Sequence, residues 1–512
     1  MSVDTHTYAN VIIGAGAGGS AAARVLAEAG QSVLVVERGG FLPQEAENWE
    51  PDAILGERRY QTHERWDDAI RGDRYRPQAY YRVGGNTKCY GGVLQRMRAR
   101  DFEQLDYPEG ASPAWPLTYA ELSPHYDEAE AWFCIHGQTG EDPTEPPRIR
   151  GRYPHGPIDH EPRIAEIAAA LADRGLHPTH APLAIDTAGD DPARHACIRC
   201  ATCDPFPCRI HAKCDAETAA LRPALATGNV ELWTGARVRR LLPGPHGRSV
   251  TAVEIEIDDE IRVVGAERVF LAAGAINSAC VLLASACDAW PGGCGNAHDR
   301  VGRGLMQHVH SAIHAFDDRP NPTTFQKTLC VHDFYFGSDE RGIAHPLGAV
   351  QLTGKATWHR VINAMRDGAS QADAQRLAER TVDWWITSED LPRDTNRVEL
   401  ADDGRPRVAY TPNNVATHEQ LCGIWRSIQA DLGYETLDPV LQGREVVWHQ
   451  AGTCRFGDDP KGSVLDRDCR VHGIENLHVV DSSFMPSMGS VNLTLTLLAN
   501  SIRVTRGLVG GS

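Results

Sequence analysis

Three glycines near the start of the chain have the types and spacing needed to hold a phosphate group. Gly14, Gly16 and Gly19 form the pattern G-x-G-x-x-G directly after the apolar run at residues 11–13. In this pattern the first glycine permits a tight turn, the second lets backbone approach a pyrophosphate, and the third lets a helix pack closely on a strand. Because the unpaired N–H groups at the start of such a helix favour an anion, the pattern predicts a dinucleotide site.

The elements around these glycines follow the order that a dinucleotide site requires. Residues 11–13 predict a buried parallel strand, residues 20–30 predict a helix that stops at Gly30, and residues 33–36 predict a second strand. Glu37 comes directly after that strand, where its carboxylate can accept hydrogen bonds from ribose hydroxyls. The motif alone does not choose between FAD and NAD.

A second glycine-rich stretch runs from Val83 to Gly92, and its last nine residues contain four glycines. Backbone of this kind can pack against a flat or phosphorylated group with little side chain between. The alternative is a tight glycine-rich turn, which would be favoured if this stretch stood alone.

Five cysteines lie within residues 197–214. Cys197, Cys200, Cys203 and Cys208 have the spacing C-x2-C-x2-C-x4-C, and Cys214 follows. Such thiols could hold an iron–sulfur cluster or Zn²⁺, or they could be structural thiols or form a local disulfide. We favour structural thiols or a disulfide and predict no metal.

Two tryptophans and two acids, Trp384, Trp385, Glu389 and Asp390, are candidates for substrate binding. Aromatic rings can stack on a ligand, and carboxylates can bind hydroxyl or ammonium groups. The alternative is a tryptophan pair in a domain core and two surface acids, and the sequence does not separate the two interpretations.

Composition limits the classes of function. The formal net charge of the 512 residues is −17, which disfavours nucleic acid and anionic membrane surfaces as partners. The sequence contains no run of 18 apolar residues, so it predicts no membrane span. The nucleotide motif begins within the first dozen residues, which leaves no room for a signal peptide, and the 14 cysteines then suggest mostly reduced thiols. We therefore expect a cytoplasmic protein.

Strand and helix signals typical of a nucleotide domain return in separated parts of the chain. We expect an α/β protein (α+β over the whole chain) in which a Rossmann-like domain is interrupted by an inserted, β-sheet-containing substrate domain. The predicted nucleotide domain comprises residues 1–100, 213–312 and 446–512. The predicted substrate domain comprises residues 101–212 and 313–445, with the cysteine-rich loop at residues 197–214.

The tail of the chain carries the most specific motifs. Residues 449–457 read HQAGTCRFG, residues 476–486 read NLHVVDSSFMP, and residues 489–500 read GSVNLTLTLLAN. These motifs resemble the C-terminal signature of the glucose-methanol-choline (GMC) family of FAD-dependent alcohol oxidoreductases. The N-terminal glycine motif, the loop at Val83 and the run AAGAI at residues 272–276 resemble the same family in the same order. The resemblance covers nearly the full length and favours FAD over NAD.

The resemblance assigns roles to individual positions. His449 matches the family's catalytic histidine, and Asn492 matches a second active-site position that is His or Asn in members. The resemblance implies FAD-binding roles for the following positions: Gly14, Gly16, Gly19, Glu37, Val83, Gly84, Gly85, Asn86, Val238, Gly274, Asp481 and Asn492.

The implied reaction oxidises an alcohol to a carbonyl by hydride transfer to flavin N5. The hydroxyl proton must leave as well, and an imidazole such as that of His449 is suited to accept it. The amide of Asn492 can hydrogen-bond the same oxygen and stabilise the developing alkoxide. We predict a sugar, glycoside, aminosugar-containing or polyol-like alcohol as the substrate.

Two positions depart from the family pattern. Cys89 occupies the place where some members carry a histidine attached covalently to the flavin, so it is either a flavin tether or, as we favour, a buried thiol. The frequent Asn-Pro pair is Asn492-Leu493 here, which restores a backbone N–H and relaxes the turn.

Two other classes of function remain as alternatives. Some lyases on this fold bind FAD without net redox, and some relatives are catalytic subunits of electron-transfer complexes with an iron–sulfur cluster. The sequence does not choose among O2, a quinone and a protein as electron acceptor, and it gives no oligomeric state.

Overall fold

The computed structural model describes residues 2–190, 194–365 and 367–510. A seven-stranded sheet forms around the first apolar strand, Ser2–Ile13. This strand runs parallel to Val33–Val36 on one side and to Glu260–Leu271 on the other. Val33–Val36 is buried along its whole length, as expected for a parallel strand covered on both faces. The remaining strands of this sheet are Val230–Trp233, Ala236–Pro243, Val250–Ile257 and Leu477–Val479.

Two helices that are far apart in sequence pack together beside this sheet. The first helix, Ala17–Glu28, contacts the last helix, Thr494–Val509. The Ser501 hydroxyl donates to the Gly18 carbonyl at 2.7 Å. A Cβ atom at Gly18 would lie 1.9 Å from the Val480 carbonyl oxygen, so only glycine permits this approach. The two ends of the described chain therefore build one nucleotide-type layer.

A second seven-stranded sheet is built from the middle of the chain. Its central strands, Val309–Phe316 and Val382–Ser388, pair antiparallel over seven residues. The other strands are Pro178–His180, Leu329–Val331, Ala349–Leu352, Glu435–Thr436 and Val440–Leu441. The helix Val415–Asp431 packs on one face of this sheet, where Trp425 meets Trp384.

Smaller sheets join the two large ones. Arg397–Leu400, Pro406–Ala409, Trp66–Asp68 and Arg74–Tyr75 form a four-stranded sheet. The two-stranded sheets are Met306–Gln307 with Gln450–Ala451, Leu105–Tyr107 with Gly110–Ser112, and Ile135–His136 with Leu183–Ala184. The other α-helices are Tyr119–Trp132, Pro162–Ala172, Arg222–Ala226, Ala275–Ala284, Trp358–Val361 and Gln371–Ala378.

The chain passes from one large sheet to the other beside the segment that contains His449. Met306–Gln307 pairs with Gln450–Ala451, and Val309–Phe316 begins directly afterwards in the second sheet. This crossing places residues of both sheets around a common space.

The discontinuous domain boundaries stay a prediction. Within the described ranges, no helix combines the length and apolarity needed to cross a membrane.

Candidate active site

The glycine turn lines the first of two cavities, which has a volume of about 260 Å³. Gly14 adopts φ +103°, and a Cβ atom there would lie 2.4 Å from the Ala272 carbonyl oxygen. A Cβ atom at Gly19 would lie 1.9 Å from the Gly14 carbonyl oxygen. At Gly16 a Cβ atom would meet nothing within 4 Å, because this glycine faces the cavity. Gly14 and Gly19 therefore allow the turn to form, and Gly16 keeps its open side clear.

Glu37 reaches the same cavity from the end of the neighbouring strand. Its two carboxylate oxygens accept hydrogen bonds from the backbone N–H groups of Ala15 and Gly39, each at 2.9 Å. Burial raises the pKa of Glu37 although these hydrogen bonds oppose the shift. The carboxylate is thus fixed at the cavity wall, with lone pairs left for ribose hydroxyls.

Asp481 closes the first cavity from the C-terminal part of the chain. It accepts hydrogen bonds from the backbone N–H of Gly274 at 2.9 Å and of Ser483 at 2.9 Å, and from the Ser278 hydroxyl. Burial raises the pKa of Asp481. Val238 and Gly274 also line this cavity. The predicted cofactor positions from four distant segments are therefore brought to one space.

The second glycine loop lies against the first glycine turn. The Gly84 N–H donates to the Ala15 carbonyl at 2.9 Å, and both Gly84 and Gly85 have positive φ angles, +94° and +58°. Gly85 and Asn86 line the first cavity, whereas Val83 is fully buried and, like Gly84, does not line it. The loop thus contributes backbone to the cavity wall, as the prediction required, but through its later residues.

A buried ion cluster anchors this loop. The Lys88 ammonium contacts the carboxylates of Asp215 at 2.8 Å and Glu217 at 2.7 Å, and all three side chains are nearly inaccessible to solvent. Burial alone would lower the pKa of Lys88, but the two carboxylates raise it above its usual value. Lys88 is therefore charged, and its two partners hold the loop in place.

The second cavity, of about 580 Å³, adjoins the first. Both are lined by the same five residues: Tyr80, Asn86, Thr87, Trp448 and Thr494. His449, Asn492, Trp385 and Cys89 line the second cavity. The two predicted catalytic residues therefore line one cavity, which adjoins the glycine-lined space.

Cys89 is buried at the second cavity. Burial raises the pKa of its thiol to about 12. Because the thiolate is the nucleophilic form, this environment disfavours attack on a flavin. Cys89 as a covalent tether stays an untested hypothesis.

His449 is held by two other histidines that the sequence reasoning did not single out. Its Nδ1 atom lies 3.0 Å from His308 Nδ1 and 3.2 Å from His310 Nε2. His308 Nε2 lies 2.8 Å from the Gly489 carbonyl oxygen, and His310 Nδ1 lies 3.1 Å from the Thr387 hydroxyl. Burial lowers the pKa of His449 to about 4, so its imidazole is neutral near pH 7.

Glu389 is a support for the catalytic segment and not a wall of either cavity. Its carboxylate accepts hydrogen bonds from the backbone N–H groups of Met488 at 3.0 Å and Gly489 at 2.9 Å, and from the Tyr107 and Ser112 hydroxyls. Gly489 is also the residue whose carbonyl contacts His308, and Asn492 follows three positions later. The prediction of Glu389 as a substrate ligand is therefore not supported by its position.

Trp384 and Trp385 point to opposite faces of the second sheet, because successive side chains alternate along a strand. Trp384 is fully buried and packs edge-on against Trp425, with ring centroids 4.7 Å apart. Trp385 lines the second cavity, with its ring centroid 4.8 Å from that of His310. Asp390 is buried and accepts hydrogen bonds from the Gln307 N–H and the Tyr410 hydroxyl. Of these four candidates, only Trp385 is brought to the cavity.

The cysteine-rich loop forms another part of the cavity wall. The buried Lys213 ammonium donates to the carbonyls of Tyr90 at 2.6 Å, Cys203 at 2.9 Å and Phe206 at 2.8 Å. Asp204, on this loop, lines the second cavity. In the described ranges these thiols form no disulfide bond, and their sulfur atoms do not lie together as the ligands of a metal site would. The loop is held by an ammonium group and hydrogen bonds.

Comparison with known proteins agrees with this geometry. Residues 154–310 and 344–501 match the N- and C-terminal profiles of GMC oxidoreductases, and residues 12–52 match an NAD(P)-binding Rossmann-like profile. Paromamine 6'-oxidase of Streptomyces fradiae is 31% identical over 99% of this chain and 92% of its own length. The chain belongs to the GMC oxidoreductase family.

A second relative supports the same family assignment, and a solved structure shares the fold. The 6'''-hydroxyparomomycin C oxidase of Streptomyces lividus is 32% identical over 97% of this chain and 90% of its own length. The crystal structure of pyridoxine 4-oxidase from Mesorbium loti has the same fold, with a TM-score of 0.71 and 20% identity over 98% of this chain and 99% of that one. This GMC oxidoreductase is an FAD-dependent enzyme that oxidises a small-molecule alcohol and passes the electrons to an acceptor.

The residues present fit FAD. The open face at Gly16, the fixed carboxylate of Glu37 and the buried Asp481 line one continuous cavity, which adjoins the cavity that contains His449. These residues would hold the dinucleotide, with the flavin end toward Trp448 and Asn86, two of the five residues that both cavities share.

Proposed function

We propose that this enzyme oxidises a hydroxyl group of an aminosugar-containing alcohol, with His449 as the general base. The observation that carries the proposal is the second cavity, which brings His449 and Asn492 together with two carboxylates, those of Asp204 and Glu445. FAD, when bound, supplies the acceptor for the hydrogen and electron pair that leave the alcohol carbon.

The hydrogen bonds around His449 set its protonation. Gly489 offers a carbonyl oxygen, which can only accept, so His308 Nε2 must donate to it. Burial lowers the pKa of His308 to about 3, so this ring is neutral and its Nδ1 atom is an acceptor. His449 Nδ1 therefore carries hydrogen and donates to His308, which leaves the His449 Nε2 lone pair available. This is the tautomer that a base requires.

Two further groups at the cavity suit the reaction. The Asn492 amide can donate a hydrogen bond to the substrate oxygen and stabilise negative charge as the proton leaves. Trp385 lines the cavity and can contact the carbon-bound hydrogens of a sugar ring. Together with His449, these groups would fix the hydroxyl that reacts.

The aminosugar assignment rests on charge and on likeness to the named relatives. The compounds in the two relatives' names carry amino groups beside hydroxyl groups, and amino groups are positively charged near pH 7. Asp204 and Glu445 place negative charge on the cavity wall, where it can attract such groups.

Anaerobic flavin bleaching tests the proposal. We expect paromamine to bleach the flavin of the purified holoenzyme. The N-acetylated compound should bleach it with a second-order rate constant for flavin reduction at least tenfold lower. His449→Gln should lower the bleaching rate by about 10²- to 10⁴-fold, the range for loss of a general base, and should retain FAD. Glu445→Gln should reduce the preference for the free amine, whereas Glu435→Gln, an exposed control outside both cavities, should not.

Either of two results would reject the proposal. Equal bleaching by the free and N-acetylated compounds would remove the aminosugar assignment. Unchanged bleaching in His449→Gln would remove the assigned base. Substrate turnover without any bleaching would instead indicate a lyase.

A further inference from the structure

We propose that His308, His310 and His449 form a binding site for a divalent transition metal such as Zn²⁺, and that the bound metal reversibly inhibits the enzyme. The three side chains come from two segments that meet where the chain crosses between the large sheets. Their ligand nitrogens all lie within 4.8 Å of one another.

The distances suit a metal with tetrahedral coordination. Zn–N bonds of about 2.0–2.1 Å place neighbouring tetrahedral nitrogens roughly 3.3 Å apart. His449 Nδ1 lies 3.0 Å from His308 Nδ1 and 3.2 Å from His310 Nε2. An ion between the three rings would therefore need only small movements of the side chains.

The outer nitrogens of the two buried rings already have the partners that metal-binding histidines use. In metal sites, such a histidine donates its other N–H to a carbonyl, carboxylate or water, which fixes the ring and directs its lone pair at the ion. His308 Nε2 meets the Gly489 carbonyl at 2.8 Å, and His310 Nδ1 meets the Thr387 hydroxyl at 3.1 Å. Both inner nitrogens are thus directed toward His449 Nδ1.

The donor set selects the kind of metal. Three imidazole nitrogens suit Zn²⁺, Cu²⁺ or Ni²⁺, whereas Mg²⁺ and Ca²⁺ prefer oxygen ligands. His308 and His310 are buried, and His449 is the member that lines the second cavity. The cavity therefore gives the ion a route to the site through the side that His449 occupies.

Metal binding and base catalysis need opposite tautomers of His449. In the active form, hydrogen is on Nδ1 and the Nε2 lone pair is available to the substrate. A metal on Nδ1 would require that nitrogen's lone pair, which moves the hydrogen to Nε2. The ring then cannot accept the hydroxyl proton, so the occupied site is inhibitory.

Binding is tested on the FAD-bound enzyme without turnover. Zn²⁺ titration by calorimetry should show one tight site that EDTA reverses, and zinc X-ray absorption should show three imidazole ligands. Co²⁺ should give the intense visible bands of a tetrahedral site. His310→Gln and His308→Gln should each weaken Zn²⁺ binding at least tenfold, whereas His478→Gln, a buried histidine in the first sheet, should leave it unchanged.

The proposal is overturned if the zinc X-ray absorption spectrum of the wild-type enzyme shows fewer than three imidazole ligands, and this measurement needs no variant to fold. It is also overturned if His308→Gln and His310→Gln both bind Zn²⁺ as tightly as the wild type does. Inhibition rests on the proposed role of His449, but the binding measurements do not. Tight binding without inhibition would therefore reject the inhibitory role and point to a different base.

Discussion

Alanine substitution at three glycines separates the needs of the fold from the needs of the cofactor. Gly14 has φ +103° and its Cβ atom would lie 2.4 Å from a carbonyl oxygen of the neighbouring strand. Gly30 has φ +76°, but its Cβ atom would meet nothing within 4 Å. Gly16 has φ −77° and equally open space, on the side that faces the first cavity. The three positions therefore differ in backbone φ, in the space around the Cβ atom and in whether they face the first cavity.

The expected costs follow from these differences. A left-handed backbone costs a side chain about 1–2 kcal/mol, so Gly30→Ala should lose about that much free energy of unfolding. Gly14→Ala adds an overpacking cost of about 1–3 kcal/mol, for a total of about 2–5 kcal/mol. Gly16→Ala should leave the free energy of unfolding of the FAD-free protein unchanged. It should weaken FAD binding at least tenfold, because the methyl group lies where backbone must approach the pyrophosphate.

Urea unfolding of the FAD-free protein and fluorescence titration with FAD measure the two quantities separately. The free energy of unfolding should decrease in the order Gly16→Ala, Gly30→Ala, Gly14→Ala. The order of FAD affinity should place Gly16→Ala below Gly30→Ala. If Gly16→Ala binds FAD like the wild type, the assignment of the first cavity to the pyrophosphate is wrong.

Four shorter predictions concern the site and its supports. Because the pKa of His449 is lowered to about 4, kcat/KM should stay level from pH 8 to 6 and fall as pH approaches 4; a midpoint near 6.5 would contradict the burial of this ring. Lys88→Met should cost about 3–5 kcal/mol in urea unfolding, because it leaves the buried Asp215 carboxylate without its ammonium partner while Glu217 keeps Arg222, and an unchanged midpoint would show that the cluster is solvated. Glu389→Met should cost about 1–3 kcal/mol and lower kcat, since it leaves the buried N–H groups of residues 488 and 489 without their acceptor; normal kcat would exclude a positioning role. Acid precipitation should release all flavin from wild type and Cys89→Ser alike, and yellow wild-type pellets would indicate a covalent bond.

The nucleotide turn could be predicted from the sequence because the residues that form it lie close together in the chain. Gly14, Gly16 and Glu37 belong to one strand–helix–strand unit, and each has a backbone reason for its type. The tryptophan pair could have been divided in the same way. Strand alternation forbids Trp384 and Trp385 from facing one ligand together, so one of them had to be a core residue.

The histidine cluster depended on contacts that no local pattern reveals. His308 and His310 are separated by one residue, which places them on the same side of an extended segment, and this was the available signal. Their partner, His449, is 139 or more residues away and meets them only through the pairing of Met306–Gln307 with Gln450–Ala451. The role of Glu389 was hidden for the same reason, since its partners lie about a hundred residues away.

The contact between the first and last helices has a consequence for biosynthesis. The glycine turn is translated several hundred residues before Asp481 and the helix that packs on Gly18. A growing polypeptide on the ribosome therefore exposes a glycine turn whose cavity lacks one wall. We expect FAD to be acquired only after the segment around Asp481 has been synthesised and has packed against the glycine turn.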